Sequence, residues 1–311
     1  MLIPDPKTAR IGEELLPFDI GYLPELYQKK AEVELHETPE KIIQCTKQLR
    51  ELAKSDDLLK DTDFNDEILV QYLRMRKYDV DRALATLHDA AKFVRKYPEN
   101  FCNFKFEETV KAMTQNIITF LPWRCQDGCT LLLVELDKWK LDNFSVRETK
   151  QMIVVVLFQA LQMHPMTQVN GFKVIFDVKM TSLRLIKVLT PQNMWMLYHG
   201  TQECIPGRFK GIHIVNDSIV FKTAWLIIKH FFSEKLKKRH FFSEKLKKRI
   251  RFHSSPKGLL DHFPKSVLPI SYAGELEDYQ KGQITWLKKA MAPEMLDQMG
   301  GGLLKNLEKL C

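Results

Sequence analysis

The residue types that carry out enzyme chemistry occur in this sequence, but not in the spacings that catalysis or cofactor binding requires. No G-x-G-x-x-G follows a predicted strand, and no G-x-x-x-x-G-K loop, G-x-S-x-G elbow or H-E-x-x-H pair is present. The nine histidines do not recur at the spacings of metal ligands. We therefore expect neither an enzyme nor a bound cofactor or metal ion.

Four side chains are candidates for chemistry on their own. Cys125 and Cys129 flank a Gln-Asp-Gly turn, but no second Cys or His pair stands at zinc spacing. His213 falls within a predicted buried strand, which favours a hydrogen-bonded core residue. Asp177 ends a predicted strand, where a lone carboxylate favours a helix cap or a polar contact over catalysis. The six cysteines are scattered over 311 residues, which is typical of a reducing compartment.

The segment 219–229 is apolar on nearly every face of a predicted helix. It fits either a helix buried within the core or a lid with one face on a cavity and the other against a bilayer. Lys222 and Lys229 flank Trp225, an arrangement typical of interfacial anchoring.

The next segment is basic and duplicated, because residues 230–239 recur unchanged as 240–249. Repeat architectures have periods of roughly 20–50 residues, so this is a local tandem duplication. The net charge of +8 indicates an anionic partner without identifying it. The basic residues of this segment lie beside phenylalanines, which favours anionic lipid. Nucleic acid is the competing partner, but no helix-turn-helix, zinc finger or RNP-type strand supports it.

No targeting or membrane-spanning segment is predicted. The first ten residues carry charges and no apolar run, unlike a signal peptide. The longest apolar stretch, 152–163, is shorter than the ~20 residues that a spanning helix needs. We expect a soluble cytoplasmic protein.

The pattern of elements changes along the chain. Residues up to about 105 predict helices at 39–58, 66–76 and 79–97, with no alternation typical of strands. After about residue 115, predicted strands at 130–136, 172–177 and 211–216 are separated by helices at 146–163 and 191–203. Strands joined by helices predict an α/β protein with a mostly parallel sheet.

Four ordered motifs between about residues 40 and 280 resemble the CRAL-TRIO family, most closely its branch of tocopherol-transfer and retinaldehyde-binding carriers. The motifs are 66–79 with its Tyr72-Leu73-Arg74-Met75-Arg76-Lys77-Tyr78-Asp79, Asn170-Gly171 with 175–177, the strand 211–216, and Leu268-Pro269 with Tyr272-Ala273-Gly274.

The resemblance implies an N-terminal helical domain (1–105), a lipid-binding domain with a mostly parallel sheet, crossover helices and a helical lid (106–280), and a C-terminal tail (281–311). It implies a monomeric intracellular carrier that holds a tocopherol- or retinoid-like lipid in a closed pocket. Such a carrier would transfer its ligand at phosphoinositide-containing membranes and associate with them reversibly. The alternative is a phosphoinositide-binding trafficking adaptor with the same fold.

The resemblance also implies roles for individual residues. The ligand pocket would be lined by Val154, Phe158, Phe172, Phe176, Leu183, Leu189, Leu197, Ile212 and Ile227. The lid would span 220–232 and present Phe221, Trp225 and Ile228 to a bilayer. The phosphoinositide headgroup would meet Arg76, Arg208, Lys210, Lys235, Arg239, Lys245 and Arg249.

Three positions depart from the family pattern. Gln71 stands where the family usually has Arg, and His230 where it usually has Pro. Ala273 replaces a Gly whose backbone torsions the family motif needs. Of the two decapeptide copies, the second is favoured for the headgroup site because the strand after residue 249 anchors it.

Overall fold

The computed structural model describes residues 10–11, 14–101, 106–179, 188–216, 221, 249–290 and 292. Its helices are α1 (Glu25–Leu35), α2 (Pro39–Ser55), α3 (Asp66–Met75), α4 (Val80–Lys96), α5 (Phe106–Met113), α6 (Val146–Met163), α7 (Pro165–Asn170), α8 (Pro191–His199) and α9 (Lys281–Ala290). Its strands are β1 (Arg10–Ile11), β2 (Glu14–Leu15), β3 (Ile118–Phe120), β4 (Thr130–Glu135), β5 (Phe172–Asp177), β6 (Phe209–Val215) and β7 (Ile250–His253).

The central sheet has the order β3-β4-β5-β6-β7. β3 pairs antiparallel with β4, and the other neighbours are parallel. The α/β class with a mostly parallel sheet is therefore confirmed. Parallel strands need helical crossovers, and α6 with α7 supplies the one between β4 and β5.

Alternate residues of the central strands enter two different hydrophobic layers, as the pleat requires. Val134, Val174 and Ile214 face the main core, which also contains α2, α3, α4 and α6. Leu133 and Ile175 face a smaller core, closed by the segment after β7. Both faces of the sheet are thus covered, as is usual for parallel strands.

The helix boundaries follow local capping chemistry. Thr38, Asn65 and Asp79 cap α2, α3 and α4, and each side chain accepts a hydrogen bond from a backbone N–H of the first turn. Ser145 begins α6 with a full capping box that includes Glu148. The helices predicted at 39–58, 66–76, 79–97 and 146–163 are confirmed to within a few residues.

Two features differ from the sequence expectations. The N-terminal third contains the two-residue strands β1 and β2, which are too short to show an alternating pattern. The segment predicted as one helix at 191–203 has two parts. Its α-helix ends at His199, and a π-helical turn follows over Gly200–Cys204. Single π-turns of this kind occur often at functional sites.

Buried polar contacts join the N-terminal helices to the rest of the chain. Arg74 of α3 forms a bidentate ion pair with Glu37 and donates to Gln168 of α7 at 2.5 Å. Tyr72 donates to the Cys204 carbonyl at 3.0 Å. The helices and the sheet therefore share one continuous core, while the domain boundaries at 105 and 280 stay predictions.

Candidate functional site

An apolar cavity lies at the carboxyl ends of β4 and β5, enclosed by α6 and α8. Its volume is about 130 Å³, and its lining includes Val134, Phe176, Val154 and Leu197. Ligand pockets usually measure roughly 300–1,000 Å³. A lipid-sized molecule would therefore have to displace lining side chains, of which Met196 is among the most adaptable.

The cavity brings together four of the nine residues predicted to line a pocket: Val154, Phe176, Leu189 and Leu197. Val154 lies on the first half of α6, and Phe176 is near the end of β5. Leu189 precedes α8, and Leu197 lies within it. Sequence reasoning missed the contribution of α4, since Phe93 also reaches the cavity. No local pattern distinguishes Phe93 from any other core residue of that helix.

Three predicted lining residues lie elsewhere in the main core, outside the lining of this cavity, and their role as pocket residues stays a prediction. Phe172 begins β5 and stacks on Phe209 at 5.2 Å, about 13 Å along the strand from Phe176. Phe158 lies one turn of α6 beyond Val154, past the residues that line the cavity, and is packed in the core. Ile212 lies in the middle of β6 and packs against the same core.

The remaining pocket and lid predictions fall largely outside the described residues. Two predicted pocket residues, Leu183 and Ile227, lie outside the described residues. Trp225 and Ile228 of the predicted lid lie outside them as well. Phe221 is described, and its side chain is buried in the main core.

The polar residues around the cavity are nearly all occupied by bonds within the protein. Thr149 donates to the Ser145 carbonyl, Asn193 to the Val188 carbonyl and Thr201 to the Leu197 carbonyl. Asn100 donates to the Glu99 carboxylate. Lys150 is different, because its ammonium lies 3.6 Å from the Met196 sulfur.

A second candidate site lies at the opposite, amino-terminal edge of the parallel strands. Arg208 and Lys210 flank the start of β6, Arg249 precedes β7, and Lys30 and Lys173 come from α1 and β5. We refer to these five residues as the basic cluster. Glu34 of α1 lies among them, 3.7 Å from Arg208, 3.8 Å from Lys210 and 3.8 Å from Lys30. Because parallel strands begin at one edge of a sheet, residues far apart in sequence meet there.

The basic cluster is partly desolvated and holds an excess of positive charge. Burial lowers the pKa of Arg208, Lys210 and Arg249, and the Glu34 carboxylate opposes this for the first two. Asp127 pairs with Lys173 at 2.6 Å. Five cations thus face two carboxylates, an arrangement that an added anion would stabilise. Sequence reasoning missed Lys30, Lys173 and Glu34, although a lysine within the apolar run of β5 was a visible signal.

Arg76 is placed differently from the other predicted headgroup residues. It pairs with Glu203 at 3.0 Å and donates to Thr86 at 2.6 Å. Its guanidinium therefore joins α3, α4 and the π-turn, and its role in headgroup binding stays a prediction. Gln71, the departure noted above, is buried and donates to Gln162.

Three predicted headgroup residues of the duplicated decapeptide, Lys235, Arg239 and Lys245, lie outside the described residues. Arg249, the last residue of the second copy, is described. It donates to the Phe209 carbonyl at 2.9 Å and is half-buried beside Arg208.

Three histidines meet in the structure, although their spacing along the sequence is not that of metal ligands. His213, His253 and His262 bring their ring nitrogens within 4.8 Å of one another, and His213 Nδ1 lies 3.1 Å from His253 Nε2. Burial lowers the pKa of His213 to about 3, and the charges of Lys173 and Arg251 add to the effect. Because these positive charges also oppose a metal cation, the arrangement favours a hydrogen-bonded core cluster.

Cys125, Asp127 and Cys129 form a second group of potential metal ligands. Both thiols are buried, and Cys129 Sγ lies 3.2 Å from the Asn170 carbonyl, to which it donates. The ion pair of Asp127 with Lys173 already neutralises the carboxylate of this group. The arrangement therefore favours a structural role at the turn before β4.

Asp177 makes polar contacts, as its position at the end of a strand predicts. Its carboxylate accepts hydrogen bonds from Asn216 at 2.9 Å and from the Tyr272 hydroxyl at 2.7 Å. The neighbouring Ala273 adopts the left-handed region at φ 64°, the torsion for which a glycine is usually chosen. These bonds fasten the family motif around Tyr272 to the carboxyl edge of the sheet.

Sequence and structure comparisons relate this chain to known proteins. The family model described as CRAL/TRIO domain matches residues 114–245. The protein named alpha-tocopherol transfer protein-like from Homo sapiens is 30% identical over 296 residues, covering 93% of this chain and 83% of that protein. Clavesin-1 of Rattus norvegicus is 24% identical over 303 residues, covering 96% of this chain and 82% of that protein. The crystal structure of Sfh5 covers 89% of this chain and 100% of that chain at 12% identity and a TM-score of 0.46.

The described residues form an α/β protein with an apolar cavity between its sheet and two helices. The chain belongs to the CRAL/TRIO family, which confirms the resemblance drawn from its four motifs. Within the described part of the chain, no helix is both long and apolar enough to cross a bilayer.

Proposed function

We propose that this protein is an intracellular carrier that binds a hydrophobic small molecule of the tocopherol or retinoid type and transfers it at phosphoinositide-containing membranes. The cavity between the sheet, α6 and α8 carries this proposal. Its lining is almost entirely apolar, so the ligand gains free energy by leaving water. Burying ~300 Å² of apolar ligand surface is worth roughly 7 kcal/mol before ordering costs.

Release requires a membrane signal, because a ligand held this strongly leaves a closed cavity slowly. The basic cluster supplies the means of sensing an anionic surface. Arg208, Lys210 and Arg249 are drawn together on one edge, partly desolvated and incompletely neutralised by Glu34. Binding of a phosphoinositide headgroup there would favour the conformation that opens toward the bilayer, which is a shift of populations by differential affinity.

The segment predicted as the lid, 220–232, completes the proposal. In it, Phe221, Trp225 and Ile228 enter the bilayer when the protein docks. The burial of Phe221 in the main core means that its entry into a bilayer would require it to leave that core.

A vesicle transfer assay tests the function. The protein is mixed with donor vesicles that carry a fluorescent tocopherol or retinoid and with acceptor vesicles with or without phosphatidylinositol bisphosphate. We expect transfer to be faster with the phosphoinositide. The Arg208→Ala/Lys210→Ala variant should lose that acceleration and bind the acceptor vesicles at least tenfold more weakly, since each of the two cations contributes ~1 kcal/mol near an anionic surface.

Two results would contradict the proposal in different ways. Docking on phosphoinositide vesicles without movement of any ligand would indicate a trafficking adaptor instead of a carrier. Transfer that is equally fast with and without the phosphoinositide, in the wild type and the double variant, would remove the role of the basic cluster.

A further inference from the structure

Lys150 places a positive charge at the wall of the apolar cavity. It lies on α6 one turn before Ile153 and Val154, which line the cavity, so all three share a helix face. The side chain is half-buried, and its ammonium donates to the Met196 sulfur at 3.6 Å. A thioether is a weak acceptor for an ammonium group.

The protein offers this ammonium little compensation for its burial. Among the described residues, no carboxylate lies within ion-pair distance of Lys150. Glu99 attracts it from farther away, and the Glu99 carboxylate already accepts a hydrogen bond from Asn100. Burial consequently lowers the pKa of Lys150, with Glu99 opposing the shift.

The other polar groups of the cavity are uncharged and already bonded within the protein, so they are weaker partners for a ligand head than an ammonium group. Thr149, Asn193 and Thr201 each donate to a backbone carbonyl of their own segment. A polar group on a bound ligand would have to compete with those bonds. Next to Lys150 it would compete with the Met196 sulfur, the hydrogen-bond partner that the described residues give this ammonium.

We propose that Lys150 recognises the head of the ligand, and that the ligand is a long-chain amphiphile with a terminal carboxylate. This inference rests on the proposed lipid-binding function and specifies the head of the ligand; a tocopherol, whose head is a phenol, would not satisfy it. The carboxylate would accept a charge-assisted hydrogen bond from the ammonium, and the chain would fill the space between α6, α8 and β5. A neutral alcohol of the same length would fill the same space without that bond.

The test compares two probes that differ only in their heads, oleate and oleyl alcohol. Their binding to the full chain is measured by displacement of a fluorescent fatty-acid probe, below the concentrations at which the lipids aggregate. Lys150→Met removes the charge but keeps the length of the side chain, and Lys150→Arg keeps the charge. Lys92→Met, on the exposed surface of α4, is the matched control for loss of one positive charge.

The wild type should bind oleate at least tenfold more tightly than oleyl alcohol, as expected for a hydrogen bond between charged groups. Lys150→Met should lose this preference with unchanged affinity for the alcohol, while Lys150→Arg and Lys92→Met should keep it. Equal binding of the two probes by the wild type, or a preference that survives in Lys150→Met, would overturn the role of Lys150 and leave the carrier function standing. Failure of both probes to bind would overturn the long-chain carboxylate as the ligand class, whereas the carrier function would fall only if the vesicle assay also showed no transfer of tocopherol or retinoid.

Discussion

The Glu34 carboxylate lies 3.7 Å from the Arg208 guanidinium, so a helix of the N-terminal third holds an acidic group against the basic edge of the sheet. The same carboxylate lies 3.8 Å from Lys210. Glu34 therefore acts as an internal counter-ion at the place where a headgroup would bind. An anionic ligand has to compete with it.

The first prediction concerns this competition. Glu34→Gln should tighten binding to phosphoinositide vesicles roughly fivefold, because removing one negative charge from the cluster is worth ~1 kcal/mol near an anionic surface. Vesicle co-sedimentation measures the change. The control is Glu25→Gln on the same helix, whose exposed carboxylate pairs only with Lys29 in the described structure. If the two variants bind equally, Glu34 is not the competing group.

The second prediction concerns the duplicated decapeptide. Arg249 of the second copy lies beside Arg208, whereas the first copy lies outside the described residues. Reversing the charges of Lys245 and Arg249 to Glu should weaken phosphoinositide binding more than reversing Lys235 and Arg239. The two variants carry the same net charge, so each is the control for the other. A stronger loss from the first-copy variant would assign the headgroup site to that copy.

The third prediction separates cavity lining from core packing by two phenylalanines of one strand. Phe176→Leu should change ligand affinity several-fold, since its ring lines the cavity. Phe172→Leu should leave affinity unchanged and lower only the free energy of unfolding, by about 1 kcal/mol, because its ring stacks on Phe209. Ligand titration and urea unfolding on both variants give the two quantities. Equal effects on affinity would mean that ligand extends along the whole of β5.

These two residues also show what the sequence can predict and what it cannot. Alternation along 172–177 places Phe172 and Phe176 on the same face of a buried strand. Which end of that face borders a cavity depends on where α6 and α8 cross the sheet. That crossing is a tertiary property, so both residues looked equivalent.

The basic edge and the histidine cluster illustrate the same limit. The basic pair Arg208 and Lys210 is visible in the sequence. Glu34 lies more than 170 residues before this pair, and only the packing of α1 brings its carboxylate near them. His213 and His253 meet because β6 and β7 pair, which their spacing does not reveal. Helix starts were predicted well because capping by residues such as Thr38 is local.

The fourth prediction concerns pH. His164 is fully buried, and its Nε2 accepts a hydrogen bond from the Trp286 indole at 3.0 Å, which places its proton on Nδ1 toward the Ile20 carbonyl. Burial, followed by the positive charge of Arg124, lowers the pKa of His164 to about 4, with Asp19 opposing. The unfolded chain therefore takes up a proton near pH 6.5, before the folded protein does. The contribution of neutral His164 to the free energy of unfolding is therefore fully present above pH 6.5 and is lost as the pH drops toward 4.

Between pH 6.5 and 4, the protonation of His164 should lower the free energy of unfolding by about 3 kcal/mol. Urea unfolding at pH 7 and at pH 4.5 measures it. His164→Gln keeps an acceptor for Trp286 but does not titrate, so its unfolding free energy should fall by less over the same interval. An identical pH dependence in the variant would contradict the assignment.

Native mass spectrometry of the purified protein tests the central claim most directly. The account predicts a chain that carries one co-purifying lipid of defined mass. That lipid should be released on addition of phosphoinositide vesicles and should be absent from preparations already exposed to them. A chain that is always empty, and that takes up no hydrophobic ligand offered to it, would contradict the claim that this protein is a lipid carrier.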